Sequence, residues 1–239
     1  TIPGVTDVAG VGLPGVAGVL TGFNESLAWA HTLSPSNQFI VYTLNLVPGN
    51  PTRYHFGEEE RDMQAETYTI EVLQENGSLA EESRTLYRSH YGPMLDLSEA
   101  GLGWTETRAA SIFDINANND TLAQMGRLKT MAQSVDELRE VYSTVGGMPA
   151  NHTLATDKFG KVLYADATLV PNLSDGAEAA FRNLVESEEF NFTKLAFGLG
   201  FVALDGSNPL FSVEIDERAT VPGVIPFIEA PQLTGRQDF

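Results

Sequence analysis

The sequence contains no cysteine in 239 residues, which removes thiol catalysis, disulfides and thiolate metal sites from consideration. Positive charge is scarce as well: 14 basic residues stand against 32 acidic ones, a formal charge of -18. A surface that negative repels phosphate backbones and anionic lipid, which makes nucleic acid and inner-leaflet membrane poor partners. No stretch approaches the roughly 18 consecutive apolar residues of a membrane span, and no basic, apolar signal-like segment is read at the start. The four histidines, His31, His55, His90 and His152, fall in no H-x-x-x-H or H-x-x-E-H pattern, so a catalytic zinc helix is not supported. No G-x-S-x-G elbow offers a triad serine. The run Glu58-Glu59-Glu60 reads as a solvated loop rather than a site, and the acidic excess as a surface suited to a saline or extracytoplasmic setting.

What is present is globular: 42% apolar against 19% charged residues, enough to bury a core in one large domain or two small ones. Residues 1–47 read as β structure, with short apolar stretches at 16–23 and 27–29 and a nearly continuous apolar strand at 38–46, expected to be covered on both faces. Residues 67–73 alternate as a half-buried strand. Glu75-Asn76-Gly77-Ser78 signals a hairpin whose partner runs to about Tyr87. Leu122, Met125, Leu128 and Met131 recur at helical spacing. Ser134 with Glu137 is a capping-box pattern ahead of the stripe Val135, Leu138, Val141 and Tyr142, which stops at Gly146-Gly147. A second hairpin is expected at 152–169, turning at 157–160, then an acidic helix at 175–195. The last forty residues, rich in Gly and Pro, read as irregular. No repeat and no linker is visible, and the fold class expected is α+β.

Gly10-Val11-Gly12-Leu13-Pro14-Gly15 matches the letters of a dinucleotide-binding turn. That motif works only where the turn opens a helix, and residues 16–20 continue as strand-like chain, so these glycines are expected to serve close backbone packing.

The segment from Leu13-Pro14-Gly15 through Gly22-Phe23-Asn24 to Ala28-Trp29-Ala30-His31-Thr32 resembles the LPG-x-P-x-x-x-x-GFN-x-x-x-AW-x-HT signature of penicillin and acyl-homoserine-lactone acylases, which are N-terminal-nucleophile (Ntn) hydrolases. Similar pieces follow in order: Phe39 with Tyr42, Ser89-His90-Tyr91-Gly92-Pro93, Val170-Pro171-Asn172, Leu204-Asp205-Gly206, and Leu233-Thr234-Gly235-Arg236-Gln237-Asp238-Phe239. They span nearly the whole chain, as the central part of that family's β-subunit.

The resemblance implies part of an Ntn-hydrolase αββα sandwich with hairpin and helical excursions, incomplete in this chain, residues 1–239 forming a single fragment. It implies amide hydrolysis by an N-terminal serine freed by self-cleavage, with its α-amine as base. That serine is expected before Thr1; a second oxyanion donor, an asparagine, and a supporting arginine are expected after Phe239. Thr1 lies inside the aligned stretch and reads as a processing end rather than a nucleophile. Matched position by position, Leu33 falls where a backbone N–H is the first oxyanion donor. Leu13, Val16, Leu20 and Thr21 fall on the acyl pocket, with His31 and Thr32 beside the oxyanion turn; for His31 a satisfied buried histidine is the competing reading, and Trp29 reads as core. Gly126 and Ala150 depart from the bulky tryptophans that acyl-homoserine-lactone acylases carry there. The calcium carboxylates of the penicillin G branch have no match at residues 37–40, so no metal and no cofactor are expected. The implied partners are a small N-acyl amide and the remaining α- and β-subunit segments of the same precursor; the implied location is periplasmic or secreted. The alternative is a non-catalytic, acidic, β-rich binding or structural module built on the same scaffold.

Overall fold

The computed structural model describes residues 5–15, 18–96, 98 and 103–236. Along the chain run β1 (Ala9–Val11), β2 (Thr21–Phe23), β3 (Leu27–Leu33), β4 (Phe39–Val47), β5 (Asn50–Phe56), β6 (Glu59–Asp62), β7 (Gln64–Leu73), β8 (Leu79–Arg88), β9 (Met94–Leu95) and β10 (Arg108–Asp114). There follow α1 (Leu122–Met131), α2 (Val135–Thr144), β11 (Asn151–Asp157), β12 (Lys161–Asp166), α3 (Asp175–Glu186), α4 (Phe192–Gly198), β13 (Val202–Asp205) and β14 (Gln232–Arg236). These elements divide into two compact units, one drawn from residues 1–38, 115–172 and 213–239, the other from 39–114 and 173–212. The chain passes between the units four times, which is why no linker composition marks a boundary.

The first unit is an antiparallel sheet in the order β1-β2-β3-β11-β12-β14, carrying α1 and α2. Alternation along β11 buries Thr153, Ala155 and Asp157 and exposes Leu154 and Thr156. The buried face joins Leu27 and Trp29 of β3 and Leu163 and Ala165 of β12, and the apolar stripe of α2 (Val135, Leu138, Tyr142) closes the core over them. Two polar ties fix this arrangement. Asp157 accepts from the Val135 N–H at the start of α2 (3.0 Å) and from the turn amides of Phe159 and Lys161. Asn24, between β2 and β3, accepts from the Ser26 and Leu27 N–H groups and donates to the Ala132 carbonyl beyond α1 (2.7 Å).

The glycines of the dinucleotide look-alike open no helix. Gly10 lies in β1 opposite Gly22 of β2, and a Cβ on either would come within 2.3 Å of a backbone oxygen of the facing strand. Close packing is the role of Gly10, and more loosely of Gly12; Gly15 meets no neighbour within 4 Å and serves instead through its left-handed φ of +83°.

The second unit holds a sheet ordered β6-β5-β4-β10-β9, antiparallel except that β13 adds parallel to β4. Gly206, after β13, would set a Cβ 2.8 Å from Tyr42 and Leu44, and Tyr91, whose hydroxyl donates to the Gly206 carbonyl, stacks on Tyr42. Motif pieces around residues 42, 91 and 206 are therefore packing determinants of this unit.

Several expectations need correction. Residues 67–73 lie in β7, which is exposed on both faces because the β7–β8 ribbon, paired through ten register positions, joins no other named strand among the described residues. β4 buries Ile40, Tyr42, Leu44 and Leu46 but exposes Phe39 and Asn45, so one face is covered fully and the other in part. Of residues 16–23 only Thr21–Phe23 is strand among the described residues. The acidic helix is two helices, broken after Glu186 and restarted at Asn191, whose side chain caps α4 through the Lys194 N–H. In the capping box, Ser134 accepts from the Glu137 N–H as expected, but Glu137 reaches back to the amide of Gln133 rather than Ser134. The second hairpin strand ends at Asp166, and β13 and β14 give regular structure to a tail read as irregular. Among the described residues no helix is long and apolar enough to cross a membrane.

Close approach at Gly22 and backbone conformation at Gly77 make a testable contrast. Gly77 has φ +82°, and a methyl added there would meet nothing within 4 Å, so Gly77→Ala should cost only the left-handed strain of about 1 kcal/mol. Gly22→Ala drives a methyl into the Ala9 carbonyl and should cost about 1–3 kcal/mol. Denaturant unfolding of both variants measures this; equal losses would refute the packing role of Gly22.

Candidate active site

Beside β3 and α1 in the first unit lies a cavity of about 340 Å³, lined by Leu13, Leu20, Thr21, His31, Leu33, Leu122, Met125, Gly126, Lys129, Met148, Pro149 and Asn151. Six residues singled out from sequence meet here: Leu13, Leu20, Thr21, His31, Leu33 and Gly126. Thr32 does not line it, because successive strand residues point to opposite faces and Thr32 sits between His31 and Leu33. Ala150 also stays outside the lining; it takes φ 42°, and its carbonyl accepts from the Ser34 N–H. Val16 lies outside the described residues. A second, more open concavity of about 610 Å³ beside Asp136, Asp157, Lys161 and Arg236 contains none of these residues.

The backbone of β3 explains what its end presents. The register pairs Leu33 with Asn151, and the next residue, Ser34, donates its N–H to Ala150 at 2.9 Å. Hydrogen-bonded and non-hydrogen-bonded positions alternate along an antiparallel ladder. The Leu33 N–H therefore points away from β11, toward the edge shared with β2. The β2–β3 register covers Gly22↔Trp29 and Phe23↔Ala28 and stops short of Leu33, which leaves that amide at an unladdered edge beside Leu20 and Thr21. Leu33 is 83% exposed, consistent with a position whose backbone matters more than its side chain. The chain just after it is anchored: Ser34 and Ser36 both donate to Asp166 Oδ2 at 2.8 Å. Burial pushes the Asp166 carboxyl up, but donors from Thr168, Ser34 and Ser36 outweigh it and hold it below the usual carboxylate value.

Six lining residues carry no site signal in the sequence reading, and Lys129 is the most informative of them. Leu122, Met125, Gly126 and Lys129 stand at i, i+3, i+4 and i+7, one face of α1, so a lysine on that face is a legible signal. The i+3 ladder Leu122, Met125, Leu128, Met131 obscures it by drifting off the face. Lys129 is 1% exposed. Its ammonium donates to His31 Nε2 at 2.7 Å and to the Leu20 carbonyl at 3.4 Å. His31 Nδ1 lies 3.1 Å from Thr153 Oγ1, which in turn lies 3.1 Å from the Tyr142 hydroxyl. Burial, then the neighbouring ammonium, lowers His31 to about 3, against a raising contribution from donation to the His152 backbone. Burial alone lowers Lys129 to about 8. His31 is thus a half-buried histidine with both ring nitrogens engaged, and it lines the cavity. Trp29 is 3% exposed, a core residue as expected.

The sequence profile of the penicillin amidase family matches residues 1–239. The chain belongs to the penicillin amidase family. Within it, the chain is 34% identical over its full length to the acyl-homoserine lactone acylase PvdQ of Pseudomonas fluorescens (strain Pf0-1), covering 29% of that protein. It is 31% identical to the aculeacin-A acylase of Actinoplanes utahensis over 94% of the chain and 27% of that protein. The fold matches a thermostable penicillin G acylase from Alcaligenes faecalis, an Ntn hydrolase, at TM-score 0.62 and 18% identity, over 98% of this chain and 37% of that one. This penicillin amidase family chain therefore spans under a third of the length of these two curated relatives. The α+β expectation and the family resemblance both hold.

The lowered Lys129 makes a stability prediction. A lysine at about 8 in the fold and at its ordinary value when unfolded binds fewer protons folded between those two pH values, so stability rises with pH across that window. Replacing it by methionine removes a burial penalty that is fully present below pH 8. Lys129→Met should unfold at higher denaturant at pH 7, by up to about 3 kcal/mol, with the gain shrinking from pH 8 to about 10.5. A loss of stability at pH 7, or a pH-independent gain, would refute the burial account.

Proposed function

We propose that the complete protein is an acylase that hydrolyses the amide of N-acyl compounds, such as N-acyl-homoserine lactones or the acyl side chains of β-lactams and lipopeptides. The observation that carries this reading is the unladdered Leu33 amide at the edge of an apolar cavity, in a chain that matches the family over its full length. The named activities of the relatives support it. In this reading an N-terminal serine from outside these residues attacks the amide carbonyl, and its α-amine takes the hydroxyl proton. The resulting oxyanion accepts from the Leu33 N–H and from a second donor. Collapse expels the amine, which takes up the proton, and leaves an acyl-serine ester that water hydrolyses. The remaining precursor segments supply the serine and the second donor.

The acyl chain lies against Leu20, Leu122, Met125 and Met148. Met125 and Met148, each 2% exposed, line the cavity beside Gly126, and about 340 Å³ of room is left. Each further buried methylene contributes about 0.8 kcal/mol, so four extra favour a longer chain by roughly a hundredfold or more.

The test is turnover of an acyl-homoserine lactone series by the complete protein and two variants. Long chains should be preferred. Leu33→Ala keeps the amide and should stay within about tenfold, whereas Leu33→Pro removes it and should lower kcat by about 10²–10³. Equal effects of the two substitutions, or no turnover of any member, would contradict the proposal.

A further inference from the structure

Lys129 is a buried cation without an anion. Its partners, the His31 ring, the Leu20 carbonyl and the Trp29 ring 5.9 Å away, are neutral, and it forms no ion pair among the described residues. This is unusual in a chain with 32 acidic residues and only four lysines; Lys161, by contrast, lies 2.5 Å from Asp136. An ammonium has three donors, and here one bond is short, one is long at 3.4 Å, and the third donor meets no acceptor among the described residues. A buried charge left in that state is costly unless something negative joins it. His31 cannot be that group, because burial and the ammonium itself keep its ring neutral, and its second nitrogen is engaged by Thr153. Its role is to hold the ammonium in place from β3.

The surroundings define the missing partner. Leu20, Leu122, Met125 and Met148 make the wall aliphatic, and no acidic residue lines the cavity among the described residues. His31 and Leu33 share one face of β3, two residues and so about 7 Å apart, which separates the ammonium end of the cavity from the amide end. A ligand that satisfies both ends has a carbonyl at one and an anion at the other, joined by an apolar chain.

We propose that Lys129 is a specificity residue, selecting an acyl group whose aliphatic chain bears a carboxylate that pairs with the buried ammonium in this cavity. The inference rests on the reading of the cavity as the acyl site and narrows it. The titratable groups around the ammonium are His31 on β3 and, through Thr153, Tyr142 on α2, both uncharged at neutral pH. The selectivity should therefore fade as the free ammonium loses its proton above a pH of about 8.

The experiment assays the complete protein on two amide series of matched length, one with methyl-ended acyl chains and one with chains ending in a carboxylate. In parallel, thermal melting is followed with added linear dicarboxylates, which reads binding without hydrolysis. Carboxylate-ended chains should be preferred by about ten- to a hundredfold in kcat/KM at pH 7, the size of one charge-assisted hydrogen bond. The preference should disappear in Lys129→Met and persist in Lys129→Arg, and dicarboxylates should raise the melting temperature of the parent but not of Lys129→Met. A parent that prefers methyl-ended chains, or a preference unchanged by Lys129→Met, overturns the inference and leaves the acylase reading intact. Hydrolysis of neither series overturns the acylase reading; the melting shift then decides the anion site, and its absence in the parent overturns that too.

Discussion

The pairing of β3 with β11 is the constraint on which the site depends. It runs in register from Leu27↔Asp157 to Leu33↔Asn151, and the period of two along β3 turns Trp29, His31 and Leu33 to one face. Trp29 enters the core, His31 meets Lys129, and Leu33 reaches the cavity. A slip of one residue would move all three side chains to the other face and turn the Leu33 amide into the ladder. The register is pinned at both ends by polar groups: Asp157 holds the start of α2 and the hairpin turn, and Asp166 holds Ser34 and Ser36 just past Leu33. Depressed carboxylates at both points show the donors outweighing burial, so the anchors stay charged at neutral pH.

The electrostatics of this unit run against the composition of the chain. The molecule is strongly acidic, yet among the described residues its cavity is lined by a cation and no acid. The chain from Lys129 through His31 and Thr153 to Tyr142 links neutral partners around one charge. Such a network fixes geometry well but leaves the charge itself uncompensated. A buried, unpaired charge is expected to cost the fold stability at neutral pH, which is a reason to look to a ligand for its role.

Much of this is legible from residues alone. The ordered motif from Leu13 to Thr32 locates β2, β3 and the cavity edge, and the hairpin turns are where Asn76-Gly77 and the Asp157 to Gly160 segment place them. Thr32 is drawn into the site by a contiguous motif, whereas a strand face takes alternate residues. Lys129 is hidden because an apolar i+3 count masks the true i, i+3, i+4, i+7 face of α1. The ribbon of β7 and β8 shows the limit of patterning: alternation in residues 67–73 signals a strand, but burial depends on what lies against it, and among the described residues this ribbon joins no other named strand. Tyr42, Tyr91 and Gly206 stand far apart in sequence and gain meaning only from their contact, so sequence cannot tell their motifs from functional ones.

The β3–β11 register turns the Leu33 amide away from the β11 ladder at the cavity while its neighbours are tied into it, and the site stands or falls with that parity. Residue-resolved amide hydrogen exchange of the complete, ligand-free protein tests it most directly. Slow exchange is expected at Thr32 and Ser34, with much faster exchange at Leu33 between them. Protection of Leu33 with rapid exchange at Thr32 and Ser34 would mean the opposite parity, and would contradict the assignment of Leu33 as the oxyanion donor.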